Sequence, residues 1–251
     1  MKILLPPSET KRPGGDGAPL ELSALSLPSL HTPRTQVIDA LVELAADEEV
    51  SRRVLKLSAR QLGDIEHNRM LRSAPTMPAI DRYTGVLFDA LDAATLSKPS
   101  RRWLGEHVWI HSAPLGPVGA LDGIPAYRLA AGTSLPKLAA LRRHWADVTT
   151  AAIADAAPEF VLDLRSEAYA ALGPIPASTA SAYVRVVTDD AAGTRALNHF
   201  NKKSKGLLVR ALAEDRPWIA SRRSLRNWAT KRGVVLRDTA DADVLELVVH
   251  E

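Results

Sequence analysis

Three short apolar runs constrain the fold of this chain most strongly. They lie at residues 2–5, 108–110 and 160–164, and each is shorter than an ordinary helix. Short apolar runs bounded by turn residues are typical of strands buried inside a sheet. We therefore expect a central sheet that collects segments from distant parts of the chain.

Longer segments with apolar residues at helical spacing separate these runs. They predict helices at residues 34–46, 47–57, 79–91, 137–145, 202–213 and 221–231. The spacing of Ser58 and Gln61 matches a capping box, which predicts a further helix near Leu62. Additional strands are predicted at residues 183–188, paired as a hairpin with 194–199, and at 234–236 and 244–249.

Strands and helices are mixed in this pattern without a strict alternation, which favours an α+β fold over a doubly wound one. We expect a mixed sheet flanked by helices. No linker composition or fixed-period repeat marks a boundary, so residues 1–251 are predicted to form a single compact domain.

The composition excludes several kinds of chemistry. The chain has no cysteine, which rules out disulfides, thiolate zinc sites, iron–sulfur clusters and a cysteine nucleophile. The apolar opening is interrupted by Pro6 and Pro7, and no apolar run is long enough to span a membrane. We expect a cytoplasmic protein with no membrane partner.

Charge is distributed unevenly along the chain. Residues 196–237 hold eleven Lys and Arg against Glu214 and Asp215, a formal charge of +9, whereas the whole chain carries only +3. A one-sided basic surface is typical of proteins that bind a polyanion, and nucleic acid is the first partner to consider. The alternative is a set of solvated helix faces whose charges cluster by chance.

Two clusters contain eight of the eleven cations in this basic segment. Lys202, Lys203 and Lys205 are predicted to lie in the opening turn of a helix, where free backbone N–H groups and ammonium groups would converge on a phosphate. Gly206 would let the backbone approach that anion closely. Ordinary surface lysines remain the alternative. The second cluster contains the cations Arg222, Arg223, Arg226, Lys231 and Arg232, with Trp218 and Trp228 interleaved.

Several segments resemble, in order, the motifs of one bacterial family. They are the strand Leu4–Leu5 followed by Pro6-Pro7-Ser8-Glu9-Thr10-Lys11; Pro78-Ala79-Ile80 with Tyr83-Thr84-Gly85-Val86; Pro125-Ala126-Tyr127-Arg128-Leu129; Asp163-Leu164-Arg165-Ser166-Glu167-Ala168-Tyr169; and Asn201-Lys202-Lys203-Ser204-Lys205-Gly206-Leu207. Together they resemble the YaaA family, which is linked to peroxide stress.

The resemblance implies a mixed α/β body with a positively charged cleft, DNA binding, protection of DNA from peroxide, and lower free intracellular iron. It supplies no established reaction. By position, the family's recurrent motifs include Lys11, Tyr127, Arg128, Ser166, Glu167, Tyr169, Lys202, Lys203 and Lys205. An arginine of the family is replaced by Lys205, which keeps the charge but loses bidentate phosphate geometry.

The polar motif residues also allow an enzyme hypothesis. Lys11, Tyr127, Arg128 and Glu167, with Asp163 nearby in sequence, would supply acid, base and oxyanion-stabilising groups for an anionic or nucleotide-like small molecule. The alternative is that Arg128 and Glu167 form a structural ion pair. No nucleophile elbow, Walker loop or dinucleotide-binding glycine motif occurs, and no cofactor is expected.

Metal binding has little support in the sequence. His107 and His111 are four residues apart, but they bracket the predicted strand at residues 108–110, where a rise of about 3.3 Å per residue holds them apart. We expect no metal site, and any effect on iron to be indirect.

The leading hypothesis is a sequence-nonspecific DNA-binding protein of the peroxide stress response. The predicted phosphate contacts are Lys11, Arg128, Arg165, Lys202, Lys203, Lys205, Arg210, Arg222, Arg223 and Arg226. No catalytic residue is expected under this hypothesis.

Overall fold

A seven-stranded sheet forms the centre of the structure. The computed structural model describes residues 1–188 and 197–249, with residues 197–199 described in their backbone only. The strands of the described residues are β1 (Lys2–Leu5), β2 (Gly17–Pro19), β3 (Pro75–Pro78), β4 (Val108–Ser112), β5 (Gly116–Gly119), β6 (Gly123–Ile124), β7 (Val161–Asp163), β8 (Ser181–Thr188), β9 (Val235–Asp238) and β10 (Val244–Val249). The main sheet has the order β5-β4-β1-β7-β8-β10-β9, and β2, β3 and β6 form a small second sheet.

The five inner strands of the main sheet are parallel, and an antiparallel strand closes each edge. Strand β1 lies between β4 and β7, and Ile3, Leu4 and Leu5 are completely buried. The prediction of a mixed sheet with the runs at 2–5, 108–110 and 160–164 inside it is confirmed.

Helices surround this sheet, so the predicted α+β class is confirmed. They are α1 (His31–Leu44), α2 (Glu48–Val54), α3 (Asp64–Arg69), α4 (Ala79–Arg82), α5 (Val86–Leu91), α6 (Lys98–His107), α7 (Leu141–Asp155), α8 (Glu167–Ala170), α9 (Leu197–Asp215) and α10 (Arg222–Lys231). Helix α9 packs on β8 and against α5 and α6. One hydrophobic cluster extends from β1 to β10. The single domain over residues 1–251 stays a prediction.

The helix predicted over residues 79–91 is interrupted. Tyr83 is extended and forms an isolated bridge with Lys11, and Gly85 has a φ of +102°. Helix α4 ends at Arg82, and Gly85 precedes the first residue of α5 with a positive φ, which glycine adopts more readily than other residues. The correct description is two short helices, α4 and α5.

The bounds predicted for the next helix were also wrong. The helix expected at residues 137–145 does not start before Leu141, because Lys137 has a φ of +60° and Ala140 has a ψ of 136°, and it continues to Asp155. The segment after β4 contains the edge strand β5, where Pro117 is tolerated.

The partner predicted for β8 was also wrong. Strand β8 pairs in parallel with β7 and β10, and residues 197–199 belong to helix α9. The remaining hairpin residues, 189–196, lie outside the described residues.

The start of helix α9 changes the interpretation of the three lysines. Because the helix already includes Leu197, Lys202, Lys203 and Lys205 lie beyond its opening turn, and the proposed convergence of free N–H groups on a phosphate is wrong. Gly206 has a different role as well. A Cβ atom on it would lie 2.2 Å from the Leu87 carbonyl oxygen, so this glycine allows α9 to approach α5 closely.

We therefore expect Gly206→Ala to destabilise the protein. Alanine should gain roughly 1 kcal/mol of helix propensity, but displacing the Leu87 backbone should cost more, for a net loss of about 1–3 kcal/mol in the free energy of unfolding. Chemical denaturation measures the difference. Gly63→Ala is the matched control, because nothing lies within 4 Å of its added Cβ. A Gly206→Ala protein as stable as the control would contradict the close approach.

Candidate functional site

A cleft opens at the carboxyl ends of β1 and β7. The next strand of the main sheet after β1 is β4, which lies on the side of β1 away from β7. The next strand after β7 is β8, which lies on the side of β7 away from β1. Adjacent parallel strands whose connections diverge in this way leave a crevice at their carboxyl ends, where ligands of open α/β sheets bind. The cleft has a volume of about 810 Å³.

The lining of the cleft is mixed in charge. Its charged residues are Glu9, Glu167, Lys202 and Lys205, so the lining has no excess of positive charge, in contrast to the positively charged cleft that the resemblance implied. The uncharged lining is Pro6, Pro7, Ser8, Thr10, Thr84, Gly85, Val86, Leu87, Phe88, Leu164, Ser166, Ala168, Tyr169, Tyr183 and Asn201. The site therefore offers aromatic rings and hydroxyl groups beside two ammonium groups.

A buried ion pair lies where β7 ends. Arg165 is completely buried and binds both oxygens of Asp163, at 2.9 Å from Nε to Oδ1 and 2.6 Å from Nη2 to Oδ2. Its Nη1 donates to His111 Nδ1 at 2.9 Å, which leaves the neutral imidazole's proton on Nε2. Burial, followed by the nearby Arg165 charge, holds the pKa of His111 well below its usual range.

The burial of Arg165 removes it from the surface that DNA can reach. Its guanidinium is already bound to a carboxylate and an imidazole, so it has no role as an exposed phosphate contact. The sequence prediction could not anticipate this, because an arginine two residues after an aspartate is also common on protein surfaces.

Lys205 lies in the wall of the cleft and is only 5% exposed. Its Nζ is 5.6 Å from the centre of the Tyr183 ring, and it forms no hydrogen bond or ion pair with any described residue. Burial lowers the pKa of Lys205 from 10.5 to about 8, although the Asp163 charge opposes the shift. Lys205 is thus a buried cation that lacks a direct acceptor among residues 1–188 and 197–249.

A second polar cluster lies behind the loop that follows β1. Lys11 Nζ donates to the carbonyl oxygens of Ser8 and Glu9 and lies 4.0 Å from the centre of the Tyr127 ring. Burial, with a smaller contribution from Arg128, lowers the pKa of Lys11 to about 7. Tyr127 Oη is 2.8 Å from Tyr83 Oη, and burial raises the pKa of both phenols.

The candidate catalytic residues are divided between the cleft and the second polar cluster. Lys11, Tyr127 and Arg128 belong to the second cluster, whereas Glu167 lines the cleft. The expected ion pair between Arg128 and Glu167 is not formed. Arg128 instead lies 3.4 Å from a Glu9 oxygen and 3.8 Å from an Asp64 oxygen.

The other predicted phosphate contacts differ in their exposure and in whether they pair with a described residue. Lys202 and Lys203 are exposed on α9 and pair with no described residue. Arg210 is bound to Glu214, at 2.9 Å, and to the end of α5 through the Leu91 and Asp92 carbonyl oxygens.

On α10, Arg222 and Arg226 both pair with Asp238, while Arg223 is exposed and pairs with no described residue. The two tryptophans of this region also differ, since Trp228 is buried and Trp218 is 80% exposed.

Sequence reasoning did not single out Tyr183, because its position beside the lysine helix depends on the parallel pairing of β8. His107, considered as a metal ligand, stacks on Trp103 with ring centres 4.2 Å apart. Within residues 1–188 and 197–249, no three His, Asp or Glu side chains are grouped to hold a metal ion. None of the helices in the described parts of the chain combines the length and hydrophobicity needed to cross a bilayer.

Comparison with known proteins identifies the family of this chain. A family model described as peroxide stress protein YaaA matches residues 1–232. The chain belongs to the YaaA family. A UPF0246 protein of Streptomyces coelicolor is 44% identical over 218 residues, covering 84% of this chain and 82% of that protein. A UPF0246 protein of Corynebacterium glutamicum is 39% identical over 254 residues, covering 99% and 100% of the two chains.

More distant relatives also match this YaaA-family chain over most of its length. A UPF0246 protein of Neisseria meningitidis is 26% identical over 234 residues, covering 88% of each chain. The family predicted from ordered motifs is therefore confirmed, and with it the link to peroxide stress that the family's name carries.

Removing the Lys205 charge should stabilise this protein in a pH-dependent way. The pKa of Lys205 is lower in the folded chain than its ordinary 10.5, so folding penalises the protonated form, and stability rises as pH increases from about 8 to 10.5. Lys205→Met should raise the free energy of unfolding at pH 7 by on the order of 1–3 kcal/mol, and by much less near pH 10.5.

Thermal unfolding at the two pH values measures this effect. Lys203→Met is the control, because Lys203 is exposed and should show no comparable gain at either pH. Equal effects of Lys205→Met at pH 7 and near pH 10.5 would contradict a penalised buried charge.

Proposed function

We propose that this YaaA-family protein binds DNA in the cytoplasm through sequence-nonspecific phosphate contacts and limits peroxide damage to it. The observation that carries the proposal is the placement of Lys202 and Lys203 on α9. Both ammonium groups are exposed, neither pairs with a described residue, and Lys202 lies in the lining of the cleft. Free cations on a rigid helix are suited to phosphate groups.

The contact set that we propose is smaller than the sequence suggested. Arg165 and Lys205 are buried, and Arg210, Arg222 and Arg226 already have carboxylate partners. Lys202, Lys203 and Arg223 are the predicted contacts that remain exposed and unpaired within the described part of the chain. Three neutralised phosphates should give a slope of log affinity against log salt near roughly −3.

The family resemblance also implies lower free iron in the cell. We propose that such an effect is indirect and does not depend on sequestration of iron by this chain. Among the described residues, no three His, Asp or Glu side chains are grouped in a way that could hold a metal ion.

A second candidate function is an enzyme or binding protein for a small anionic molecule. It is favoured by the cleft of about 810 Å³, a size typical of small-molecule sites, and by the buried ammonium of Lys205 in its wall. Glu167 would then be the available base in the cleft. Glu167→Gln should abolish turnover in such an enzyme while leaving DNA affinity unchanged or increased.

Replacing both Lys202 and Lys203 by Ala should reduce the magnitude of the salt slope by about 2 and weaken DNA binding at low salt. Fluorescence anisotropy on a labelled duplex, between about 50 and 200 mM salt, measures both quantities. Lys98→Ala is the control, because Lys98 is exposed on α6 and lies outside the cleft lining. An unchanged slope in the double variant would remove α9 from the DNA interface.

A further inference from the structure

We propose that the cleft is a nucleotide-binding site in which the Lys205 ammonium receives the phosphate. The proposal names a ligand class for the site described above. A free mononucleotide and an unpaired nucleotide of a DNA strand present the same chemistry, and the second source rests on the proposed DNA binding.

The need for an anion follows from the partners of Asp163. The Asp163 carboxylate is the opposite charge that raises the pKa of Lys205, but both of its oxygens are bound by Arg165. Lys205 makes no hydrogen bond or ion pair with a described residue, and only 5% of its surface is exposed. A buried ammonium is costly unless it is paired, and this one forms part of a cleft wall where a ligand can pair with it.

The surroundings of Lys205 favour a phosphate over a carboxylate. Lys202 also lines the cleft and is three residues away, which places it on the same face of α9. Two cations match the charge of a phosphate monoester better than that of a single carboxylate. The exposed Ser166 adds a hydroxyl group to the lining that can donate to a phosphate oxygen, whereas Thr10 already donates to the Thr84 carbonyl oxygen and is hydrogen-bonded to Ser8.

The rest of the lining suits a sugar and a base. The partly exposed rings of Tyr169 and Tyr183 offer planar surfaces, on which bases stack without strong sequence preference. Glu9 and Glu167 supply acceptors for the hydroxyl or amino groups of a nucleoside. The volume of about 810 Å³ lies within the range that encloses a small molecule.

A base that is paired and stacked inside a duplex cannot also enter the cleft and stack on its tyrosine rings. A DNA nucleotide must therefore be unpaired or turned out of the stack, at a cost that is lowest for damaged, mismatched or bulged positions. The geometry thus links this site to a preference for distorted DNA over regular duplex.

The test uses the full chain and three probes: deoxyadenosine 5′-monophosphate, deoxyadenosine, and a pair of duplexes that differ only by one bulged nucleotide. Calorimetry should show saturable binding of the monophosphate, weakened roughly tenfold or more by Lys205→Met, because a charge-assisted contact is lost. Binding of deoxyadenosine should change much less. Lys98→Met is the matched control and should behave as the unaltered protein.

The duplex pair then distinguishes the two sources of the nucleotide. A pocket for an unpaired DNA nucleotide predicts that the unaltered protein binds the bulged duplex more tightly than the regular one. It also predicts that Lys205→Met loses this preference but keeps its affinity for the regular duplex. Monophosphate binding without any DNA binding supports a free nucleotide as the ligand and rejects the proposed DNA function.

Salt-dependent duplex binding with neither monophosphate binding nor a bulge preference overturns the nucleotide site while leaving the DNA function intact. Unchanged monophosphate and bulge affinities in Lys205→Met overturn it as well. Because this variant is expected to be more stable than the unaltered protein, loss of binding is distinguishable from loss of folding.

Discussion

The buried ion pair between Asp163 and Arg165 determines the geometry of the carboxyl edge of the sheet. Strand β1 lies between β4 and β7, so the hydrogen bond from Arg165 to His111 crosses the end of β1 and joins its two neighbours. Burying both charges carries a desolvation cost of several kcal/mol per ion, which the bidentate contact and the imidazole acceptor offset. The pair thereby positions the segment from Leu164 to Ala168, which lines the cleft.

The same pair explains why Lys205 is available to a ligand. Arg165 occupies both oxygens of Asp163, so the carboxylate near Lys205 is already neutralised. Gly206 allows α9 to approach the Leu87 backbone, and this close packing holds the neighbouring Lys205 in the wall. The charge excess of the basic segment is thus divided into an internal cation at the cleft and exposed cations on the surface of α9.

Features determined by local sequence could be predicted. The strands β1, β4 and β7 are short apolar runs, and the capping box of Ser58 and Gln61 is formed as expected. The break before Gly85 was not predicted, because the extended segment there is held by the bridge between Tyr83 and Lys11 from another part of the chain. The parallel pairing of β8 is likewise non-local, and its hairpin prediction failed for that reason.

The candidate site could be predicted only in part. Ordered motifs identified the family and included Lys205 and Glu167, which line the cleft. Charge alone did not distinguish the buried Arg165, the paired Arg222 and the exposed Lys203, because burial and pairing are properties of the folded chain. The ion pairs of Arg128 with Glu9 and Asp64 also join residues that are distant in sequence.

The most direct measurement of the central claim is an NMR titration of the Lys205 side chain with and without deoxyadenosine 5′-monophosphate. If the Lys205 ammonium is buried and has no bound anion, its pKa should be about 8, well below the ordinary 10.5. The pKa of Lys205 should rise when the phosphate binds. A pKa near 10.5 that does not respond to the mononucleotide would show that Lys205 is solvated or already paired, and would contradict the account.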